Sequence, residues 1–463
     1  MDDERSTRGL GRTIHVLVVA AVLTSACTVG AVTGDPGLGA APAATPDRPA
    51  RQVITDVGVT EEPCPGEHAN PDNGCIHLGA IVDRSGPHSA MGEAALAGAQ
   101  AFWKAVNERG GIFGAPHDGR PARYDVDLTS HVMNNHGEVD PHLAAVEELQ
   151  EEVLALGLSQ GTTANVEALK TYKEHDLVTV PLDWWSGWPF EAVVADTGLP
   201  YCLQALNGLD YTRELLGGET PIEHVVVAHT PDRHGEDVVA GVERWVEIHR
   251  APFLRSEHAV AVTPDGGVSE AVELIEEVAP EVVVVAAPPD QVTELAGDLA
   301  ERGWDGWMVG TAPTFVPRNV EDEAVRTFLS QQFIRIDPYP PLDHQAKAYE
   351  EMRKHLDGES PPNHFWIAGW MNQYPLHSAI EDALVTGDLT RAGLVQSVEE
   401  VTVLYEEGLR RRRYLGDVSR QTPRHAYVYA PDPGADLGER LLAGEYVGRT
   451  AADFPVTRPC SEQ

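Results

Sequence analysis

Short apolar runs alternate with longer segments of helical spacing over most of this chain. The runs are bounded by turn-forming residues and predict strands, and the segments with apolar positions three and four apart predict helices. In a first block the predicted strands are 76–82, 124–128, 153–158 and 177–180, and the predicted helices are 92–108, 142–152 and 165–175. In a second block the predicted strands are 224–228, 259–262, 281–286 and 306–310, with a helix at 236–249 and further helices between the later strands.

This alternation of strand and helix predicts parallel sheets with helices on both faces. Two such blocks, joined near residues 201–207, predict an α/β protein with two doubly wound lobes. Loops at the carboxyl ends of the strands of such a sheet face a common crevice. We therefore expect ligand-binding residues in the loops that follow the strands.

The N-terminal segment combines basic, apolar and small residues. Three arginines precede the apolar run Ile14–Leu23, which is too short to cross the ~30 Å of bilayer hydrocarbon, and Thr24-Ser25-Ala26-Cys27 follow it. The segment resembles a lipoprotein signal peptide over residues 1–26. This implies export, cleavage before Cys27 and a lipid on Cys27 that anchors the protein to the outer face of the cell membrane. An ordinary cleaved signal and a retained membrane helix are the alternatives.

The segment after Cys27 lacks a sustained apolar period. Residues 28–60 are rich in Gly, Ala, Pro and Thr, a composition that predicts a flexible tether. We expect ordered structure to begin near Cys75, so that residues 27–75 form the linker and a disulfide loop. Residues 451–463 are assigned to a C-terminal tail.

The charge of the chain excludes some partners. Lys and Arg number 34 against 72 Asp and Glu, a formal net charge of −38. Such a field repels nucleic acid and anionic lipid head groups, so we expect no nucleic-acid partner and membrane contact through the lipid anchor alone. The acids are spread along the chain and do not identify a ligand.

Five cysteines are present, and four remain if Cys27 carries lipid. An even number in an oxidising compartment predicts disulfides, and four cysteines allow three pairings. Cys64 and Cys75 flank a polar loop rich in Pro, Gly and Asn, so we expect Cys64–Cys75. That pairing leaves Cys202–Cys460, which would pin the C-terminal tail.

Metal, cofactor and enzyme patterns are weak in this sequence. The four cysteines are too far apart for a zinc site, and His131, His136 and His142 lack the spacing of a helical zinc-ligand pair. No Gly-x-Ser-x-Gly nucleophile elbow occurs, and the residues do not assemble a nucleophile, base and orienting group. We expect no metal, no cofactor and no enzymatic activity.

Several motifs resemble one family. Residues 76–87 (IHLGAIVDRSGP), 97–100 (AGAQ) and 106–112 (VNERGGI) resemble the first strand, loop and helix of type I periplasmic binding proteins. These are the leucine/isoleucine/valine-type solute receptors of ABC importers. Residues 231–235 and 368–370 resemble later segments, so the resemblance covers roughly 76–430. It implies three crossovers between lobe 1 (76–203 and 334–398) and lobe 2 (204–333 and 399–450).

The resemblance also implies a function. Such a protein is a monomeric extracytoplasmic receptor that closes its lobes on a small ligand and delivers it to the permease subunits of an ABC importer. The ligand implied here is an amino acid or a related amide or carboxylate. The same fold permits a sensory ligand-binding subunit, and a secreted α/β enzyme is the third alternative.

Candidate ligand-binding residues follow from loop position. The loop 159–163 resembles the hydroxyl-rich loop that takes an amino acid's carboxylate in the family, and a threonine there is alternatively a helix N-cap. In lobe 2 an acid would hold an ammonium group. The candidates are Ser85, His88 and Ser89 in the first loop, Gln160, Gly161, Thr162 and Thr163 in the hydroxyl-rich loop, and Asp232 and His234 in lobe 2.

A tryptophan-rich loop departs from the family pattern. Trp184, Trp185 and Trp188 follow the fourth predicted strand, where the family often has small and hydroxyl residues. They form either an aromatic wall or cation–π box around the ligand, with Trp184 and Trp185 as candidate contacts, or internal packing. The sequence leaves both interpretations open.

Overall fold

The computed structural model describes residues 53–66, 69–117, 120–217, 222–249, 256–263, 266–400, 402–403, 412–413 and 416–463. The predicted signal peptide, Cys27 and most of the predicted tether lie outside these residues. Within them, none of the helices combines the length and apolar character that crossing a bilayer requires.

The strands and helices alternate over most of the described chain. In chain order the strands are β1 (Ile54–Thr55), β2 (Val59–Thr60), β3 (Gly74–Val82), β4 (Ile112–His117), β5 (Arg120–Asn134), β6 (Ala155–Ser159), β7 (Thr179–Pro181), β8 (His224–His229), β9 (Ser256–Ala261), β10 (Val282–Ala286), β11 (Trp307–Gly310), β12 (Phe333–Asp337), β13 (Asp388–Leu389), β14 (Thr402–Val403), β15 (Arg412–Arg413), β16 (Ala426–Pro431) and β17 (Glu439–Tyr446). The α-helices are α1 (Ser89–Glu108), α2 (Val139–Leu149), α3 (Thr162–Glu174), α4 (Tyr201–Leu215), α5 (Arg233–His249), α6 (Gly267–Val278), α7 (Pro289–Arg302), α8 (Glu323–Gln332), α9 (Lys347–His355), α10 (Phe365–Met371), α11 (Gln373–Thr386), α12 (Arg391–Glu400), α13 (Val418–Gln421) and α14 (Arg449–Asp453). Short 3-10 helices lie at Trp188–Phe190, Ala312–Thr314, Pro317–Val320 and Cys460–Glu462.

One sheet has the strand order β4–β5–β3–β6–β7, with β2 beside β3. Strands β5, β3, β6 and β7 are parallel, and β2 and β4 run antiparallel to their neighbours. In the register, Val82 pairs with Asn134 and Ile81 with Ser159. The loops after β3, β5 and β6 therefore leave the same edge of this smaller sheet.

The other sheet has the strand order β17–β16–β12–β11–β10–β8–β9. Strands β9, β8, β10, β11 and β12 are parallel, and β16 and β17 add an antiparallel edge. All residues of β10 are buried, as its unbroken apolar run predicts. These two sheets confirm the predicted α/β fold with parallel-sheet lobes.

Ordered structure begins earlier than the sequence predicts. Val53 is buried, β1 pairs with β13, and β2 pairs with β3. The prediction that order begins near Cys75 is therefore wrong. Strands of two residues are too short to produce a recognisable period, and their stability comes from the partner strands.

One predicted lobe boundary falls inside a strand. Strand β12 pairs with β11 and β16, so residues 334–337 belong to the larger sheet. Helices α10 and α11 instead pack on α1 and β4 of the smaller-sheet side. We propose that this crossover lies between residues 338 and 346. The predicted boundaries at 203–204, 398–399 and 450–451 fall inside α4, α12 and α14.

Both expected disulfides are present. Cys64–Cys75 joins Cα atoms 4.7 Å apart, and Cys202–Cys460 joins Cα atoms 6.5 Å apart. Cys202 lies in the first turn of α4, so the second bond ties the C-terminal tail to the start of this helix.

Candidate functional site

A cavity of about 290 Å³ lies where loops of the two sheets face each other. This size is near the lower end of the ~300–1,000 Å³ usual for small-molecule sites. Loops of the smaller sheet contribute most of the wall, and α4, α10 and two loops of the larger sheet complete it. The lining residues are Asp83, His88, Met91, Asn135, Gly137, Glu138, Val139, Gln160, Gly161, Thr162, Thr163, Ala164, Leu182, Asp183, Tyr201, Asp232, His234, Pro313 and Phe365.

The first residues of α3 line the cavity. Gly161 is the N-cap residue at φ 117°, a backbone conformation that favours glycine, and no side chain caps the helix. The first intrahelical bond runs from Asn165 N–H to the Gly161 carbonyl at 2.9 Å. The N–H groups of Thr162, Thr163 and Ala164 therefore lack intrahelical acceptors, and the helix dipole adds positive potential there. The alternative in which a threonine caps α3 is wrong.

Gln160 and Asp83 shape the first loop. Gln160 Oε1 accepts a hydrogen bond from the Asp83 N–H at 2.8 Å. The Asp83 carboxylate accepts from the N–H groups of Ser85 (3.0 Å), Gly86 (2.5 Å) and His88 (2.8 Å). Both carboxylate oxygens are thereby used inside the turn, which places His88 on the cavity wall.

Two candidates of the first loop do not line the cavity. Ser85 is exposed, and its hydroxyl lies 2.8 Å from His136 Nδ1. Ser89 begins α1 beside the wall without contributing to it. Their roles as ligand contacts therefore have no support from the position of the cavity.

His234 and Asp232 face the cavity from the larger-sheet side. His234 Nε2 lies 2.9 Å from Thr311 Oγ1, and its ring centroid is 4.3 Å from that of Tyr201. Asp232 Oδ1 accepts from the Thr230 hydroxyl at 2.8 Å and the Gly235 N–H at 2.9 Å, which fixes the start of α5. The structure thus brings both residues to the same cavity as the α3 N-terminus.

Burial keeps both cavity histidines neutral. It lowers the pKa of His234 to about 4, against the opposing attraction of Asp232. Burial also lowers the pKa of His88, although Asp83 and Asp232 pull in the opposite direction. At neutral pH the two imidazoles act as hydrogen-bonding groups without charge.

A direct contact joins the two sides of the cavity. The Arg233 N–H, at the start of α5, donates to Thr163 Oγ1 at 3.2 Å. A second contact lies deeper, where Ser186 donates from its hydroxyl and its N–H to the Asp237 carboxylate. The sides that carry α3 and α5 are therefore held together around the cavity.

The tryptophans lie behind the wall. Trp184 is 3% exposed and Trp185 7%, and neither lines the cavity. The Trp184 ring is 6.0 Å from Tyr201 and 6.5 Å from Phe365, which supply the aromatic wall instead. Trp185 and Trp188 pack edge to face at 4.9 Å. This geometry favours the packing interpretation of the cluster over direct contact with a ligand.

Two buried carboxyl groups accompany this loop. Asp183 is 2% exposed and accepts from Trp188 Nε1 at 2.5 Å and from the Trp185 N–H at 3.3 Å. Burial raises the pKa of Asp183 to about 7 and that of Asp237, which Ser186 and Cys202 contact, also to about 7. The Cys460 N–H donates to the Ser186 hydroxyl at 2.7 Å, so the tail joins the same network.

A metal site is not evident in the part of the chain that the structure describes. The group of possible ligands there is Cys202, Asp237 and Cys460. The two sulfur atoms are bonded to each other, and a disulfide does not supply the thiolates that bind metals.

Sequence reasoning missed several lining residues. Tyr201 and Phe365 begin helices, Asn135 follows β5, and Asp183 follows β7. The loop position of Asp183 and Asn135 after parallel strands was available as a signal. Tyr201 and Phe365 reach the cavity because of how α4 and α10 pack, and no local pattern marks them.

Comparisons with known proteins agree with this geometry. A family model described as "Periplasmic binding protein" matches residues 75–435. A fatty acid ABC transporter substrate-binding protein from Thermomonospora curvata is similar in structure, with TM-score 0.74, 19% identity and coverage of 87% of this chain and 97% of that one. No curated protein matches the sequence significantly.

Two further solved structures share the fold. A branched-chain amino acid ABC transporter protein from Thermus thermophilus with bound valine has TM-score 0.65 and 14% identity, covering 82% of this chain and 98% of that one. An ABC transporter solute-binding protein from R. palustris in complex with benzoate has TM-score 0.62 and 14% identity, and the match covers 81% of this chain and 97% of that one. At these identities the likeness concerns the fold alone.

Proposed function

Because this chain belongs to the periplasmic binding protein family, we propose that it is an extracytoplasmic receptor for a small carboxylate ligand. The ligand class is an amino acid or a related amide or carboxylate. The receptor acts outside the cell and hands its ligand to the permease subunits of an ABC importer. No chemical transformation is part of this function.

The α3 N-terminus is the observation that carries this proposal. Three N–H groups without intrahelical acceptors and the hydroxyls of Thr162 and Thr163 converge on a cavity wall. Such a site favours an anionic group. The other wall presents acceptor and donor groups from Asp232 and His234, and no lysine or arginine is among the described residues that line the cavity. This wall therefore complements the remaining polar end of the ligand.

The names of similar proteins point to the same chemistry. Fatty acids, valine and benzoate, which occur in the names of three structural relatives, all carry a carboxylate. A carboxylate at the α3 N-terminus is the feature that these ligands share, whereas the rest of the cavity sets which carboxylate binds.

Closure of the lobes couples binding to delivery. A ligand that touches both walls stabilises the closed form by its differential affinity for that form. A micromolar ligand supplies about 8 kcal/mol of binding free energy, enough to shift a hinge balanced within a few kcal/mol. The Arg233–Thr163 contact belongs to the closed form and would break on opening.

The binding proposal is tested by thermal-shift screening with amino acids, their amides and small carboxylates. A true ligand at 100 times its Kd should stabilise the protein by about 2.7 kcal/mol. Thr162→Val and Thr163→Val should each weaken binding, whereas Thr327→Val, at an exposed position of α8, should not. The proposal is wrong if no carboxylate in the panel shifts the transition, or if mass spectrometry shows the ligand chemically converted.

The anchor and the delivery step need separate tests. Cys27→Ser should release the protein from washed membranes, and retention of this variant would contradict the lipid assignment. Deleting the protein from its cell should abolish uptake of the radiolabelled ligand. Unchanged uptake would instead support the sensory alternative.

A further inference from the structure

A second cavity lies where the chain passes between the two sheets. Its volume is about 640 Å³, which is larger than that of the first cavity, between the facing loops, and well inside the range of small-molecule sites. The described residues that line it differ from those that line the first cavity. We call it the crossover cavity, and its wall consists of residues 198, 338–340, 371, 419–425, 427 and 452–455.

Each of the three passages between the lobes in the described chain contributes to this wall. The first runs from β7 of the smaller sheet to α4, which packs on β11 and β12 of the larger sheet, and Gly198 lies in it. The second follows β12 and includes residues 338–340. The third ends with residues 419–425, directly before β16. The shape of the crossover cavity therefore depends on how the two lobes are placed relative to each other.

Much of the wall is apolar and has little backbone freedom. Its large buried side chains are Tyr339, Met371, Tyr427 and Phe454. Proline has a fixed φ angle, and four prolines belong to the wall, namely Pro338, Pro340, Pro423 and Pro455. Such a wall suits a flat apolar ring system, because aromatic side chains bury large areas against it and pack with defined geometry.

The charged groups of the wall are mainly basic. Two arginines, Arg420 and Arg424, stand against one acid, Asp453, although the chain as a whole has 72 acidic and 34 basic residues. Arg424 is half-buried and donates to the carbonyls of Ala451 at 2.6 Å and Ser419 at 2.9 Å. Burial lowers the pKa of Arg424, and the attraction of Asp453 opposes this effect. An anionic group on a ligand would supply a countercharge at this position.

We propose that the crossover cavity is a second ligand site, which binds an apolar anion of the aromatic carboxylate class and thereby regulates the opening of the lobes. The ring of the ligand packs on Met371, Tyr427 and Phe454, while its carboxylate accepts charge-assisted hydrogen bonds from Arg424 and Arg420. Because the wall changes shape with the lobes, the ligand has different affinities for the open and closed forms, and this difference shifts their equilibrium. The regulatory part rests on lobe closure in the proposed function, whereas the binding site does not.

Calorimetry with a matched pair of probes tests the binding site. Naphthalene-2-carboxylate and 2-naphthalenemethanol share a ring system and differ in charge. Wild type should bind the carboxylate roughly tenfold or more tightly than the alcohol, the usual effect of a hydrogen bond to a charged group. Ala452→Trp places a large side chain in the wall and should remove this binding. Ala144→Trp, at an exposed position of α2 outside the wall, should leave it unchanged.

Arginine variants test the role of charge. Arg424→Gln should bring the ratio of the two affinities close to one. Because Arg424 also holds two carbonyl groups, Arg420→Gln is a second variant that keeps the test valid if Arg424→Gln does not fold, and it should lower the ratio. Arg458→Gln, at an exposed position outside the wall, should not change the ratio. A ratio that neither wall variant lowers would overturn the assignment of an anionic ligand.

Two other results would show that the crossover cavity is not the site. One is a wild-type protein that binds neither probe. The other is loss of binding in Thr162→Val together with unchanged binding in Ala452→Trp, because the probe would then occupy the first cavity.

Small-angle X-ray scattering tests the regulatory part. Saturating naphthalene-2-carboxylate should change the radius of gyration of wild type and leave that of Ala452→Trp unchanged. An unchanged radius in wild type, or the same change in Ala452→Trp, would overturn regulation from the crossover cavity. The proposed function concerns the first cavity and would stand after either result.

Discussion

The two disulfides of this protein differ in how much of the chain they constrain. Cys202 and Cys460 are 258 residues apart, whereas Cys64 and Cys75 are 11 apart. All four cysteines are buried. Replacing each pair by serines, in separate double variants, therefore removes the same chemical bond from similar surroundings and changes chiefly the length of the closed loop.

The expected costs follow from the loop lengths. In the chain-entropy model, a bond that closes 258 residues stabilises the native state by about 5.6 kcal/mol and one that closes 11 residues by about 2.8 kcal/mol. Cys202→Ser/Cys460→Ser should thus lower the free energy of unfolding by about 2.8 kcal/mol more than Cys64→Ser/Cys75→Ser.

Urea unfolding followed by circular dichroism measures both variants against wild type under the same oxidising conditions. The comparison is valid if the unfolding free energy of all three proteins falls with urea concentration at the same slope. That slope reports the surface exposed on unfolding, so an equal slope means that the same structure unfolds. Equal losses, or a larger loss for the Cys64–Cys75 variant, would refute the entropic reasoning. In that case native contacts around the bonds, and not the constraint on the unfolded chain, set their contribution.

Three other substitutions test the packing and the polar network. Glu439→Gln leaves the buried Arg335 without its bidentate partner and should destabilise the protein by about 3 kcal/mol in urea unfolding. Arg302→Gln, in an exposed pair with Glu276, is the control and should leave the urea midpoint nearly unchanged. Gly369→Ala should destabilise by about 1–3 kcal/mol, because its Cβ would lie 1.9 Å from the Ala95 carbonyl and force α10 away from α1; an unchanged melting temperature would contradict this contact. Asp83→Ala removes the acceptor of three N–H groups and should weaken ligand binding more than Ser85→Ala, with calorimetry as the measure.

Much of the fold could be predicted because the hydrophobic residues of its long strands and helices recur at clear, regular spacings. The runs that became β3, β8 and β10 and the helical spacing in α1 and α5 mark both sheets. The two-residue strands β1 and β2 escaped prediction because a pair of residues has no period. The predicted lobe boundary at 333–334 falls inside β12. This strand belongs to the larger sheet because it pairs with β11 and β16, and the local sequence does not show which strands it pairs with.

The site could be predicted where loop position decides it. The Gln160–Thr163 loop, His88, Asp232 and His234 all reach the cavity, since each follows or adjoins the carboxyl end of a parallel strand. Phe365 and Tyr201 could not be found in this way, because helix packing brings them there. The three tryptophans were chosen as candidates because they are unusual in this loop, whereas the residues of the loop that line the cavity are Leu182 and Asp183.

The buried charge at Asp183 should cost stability in the protein without ligand. Its pKa is raised from 3.8 to about 7 by burial, so between these values the native state holds a proton that the unfolded state has lost. The stability that this proton contributes is present below about pH 4 and is lost as pH rises towards 7. Asp183→Asn lacks this titration, so its stability relative to wild type should increase over the same window by an amount of the order of a few kcal/mol.

Other titratable groups lie near the Asp183 carboxyl, and their effect on stability must be separated from that of Asp183. Tyr172 and Tyr201 stay neutral across this window because burial raises the pKa of each, while Asp196 and Asp237 are carboxyls that both proteins retain. Urea unfolding from pH 4 to 8 of wild type, Asp183→Asn and Asp237→Asn therefore separates the two buried acids. A pH-independent difference between wild type and Asp183→Asn would mean that Asp183 does not bind a proton in this range.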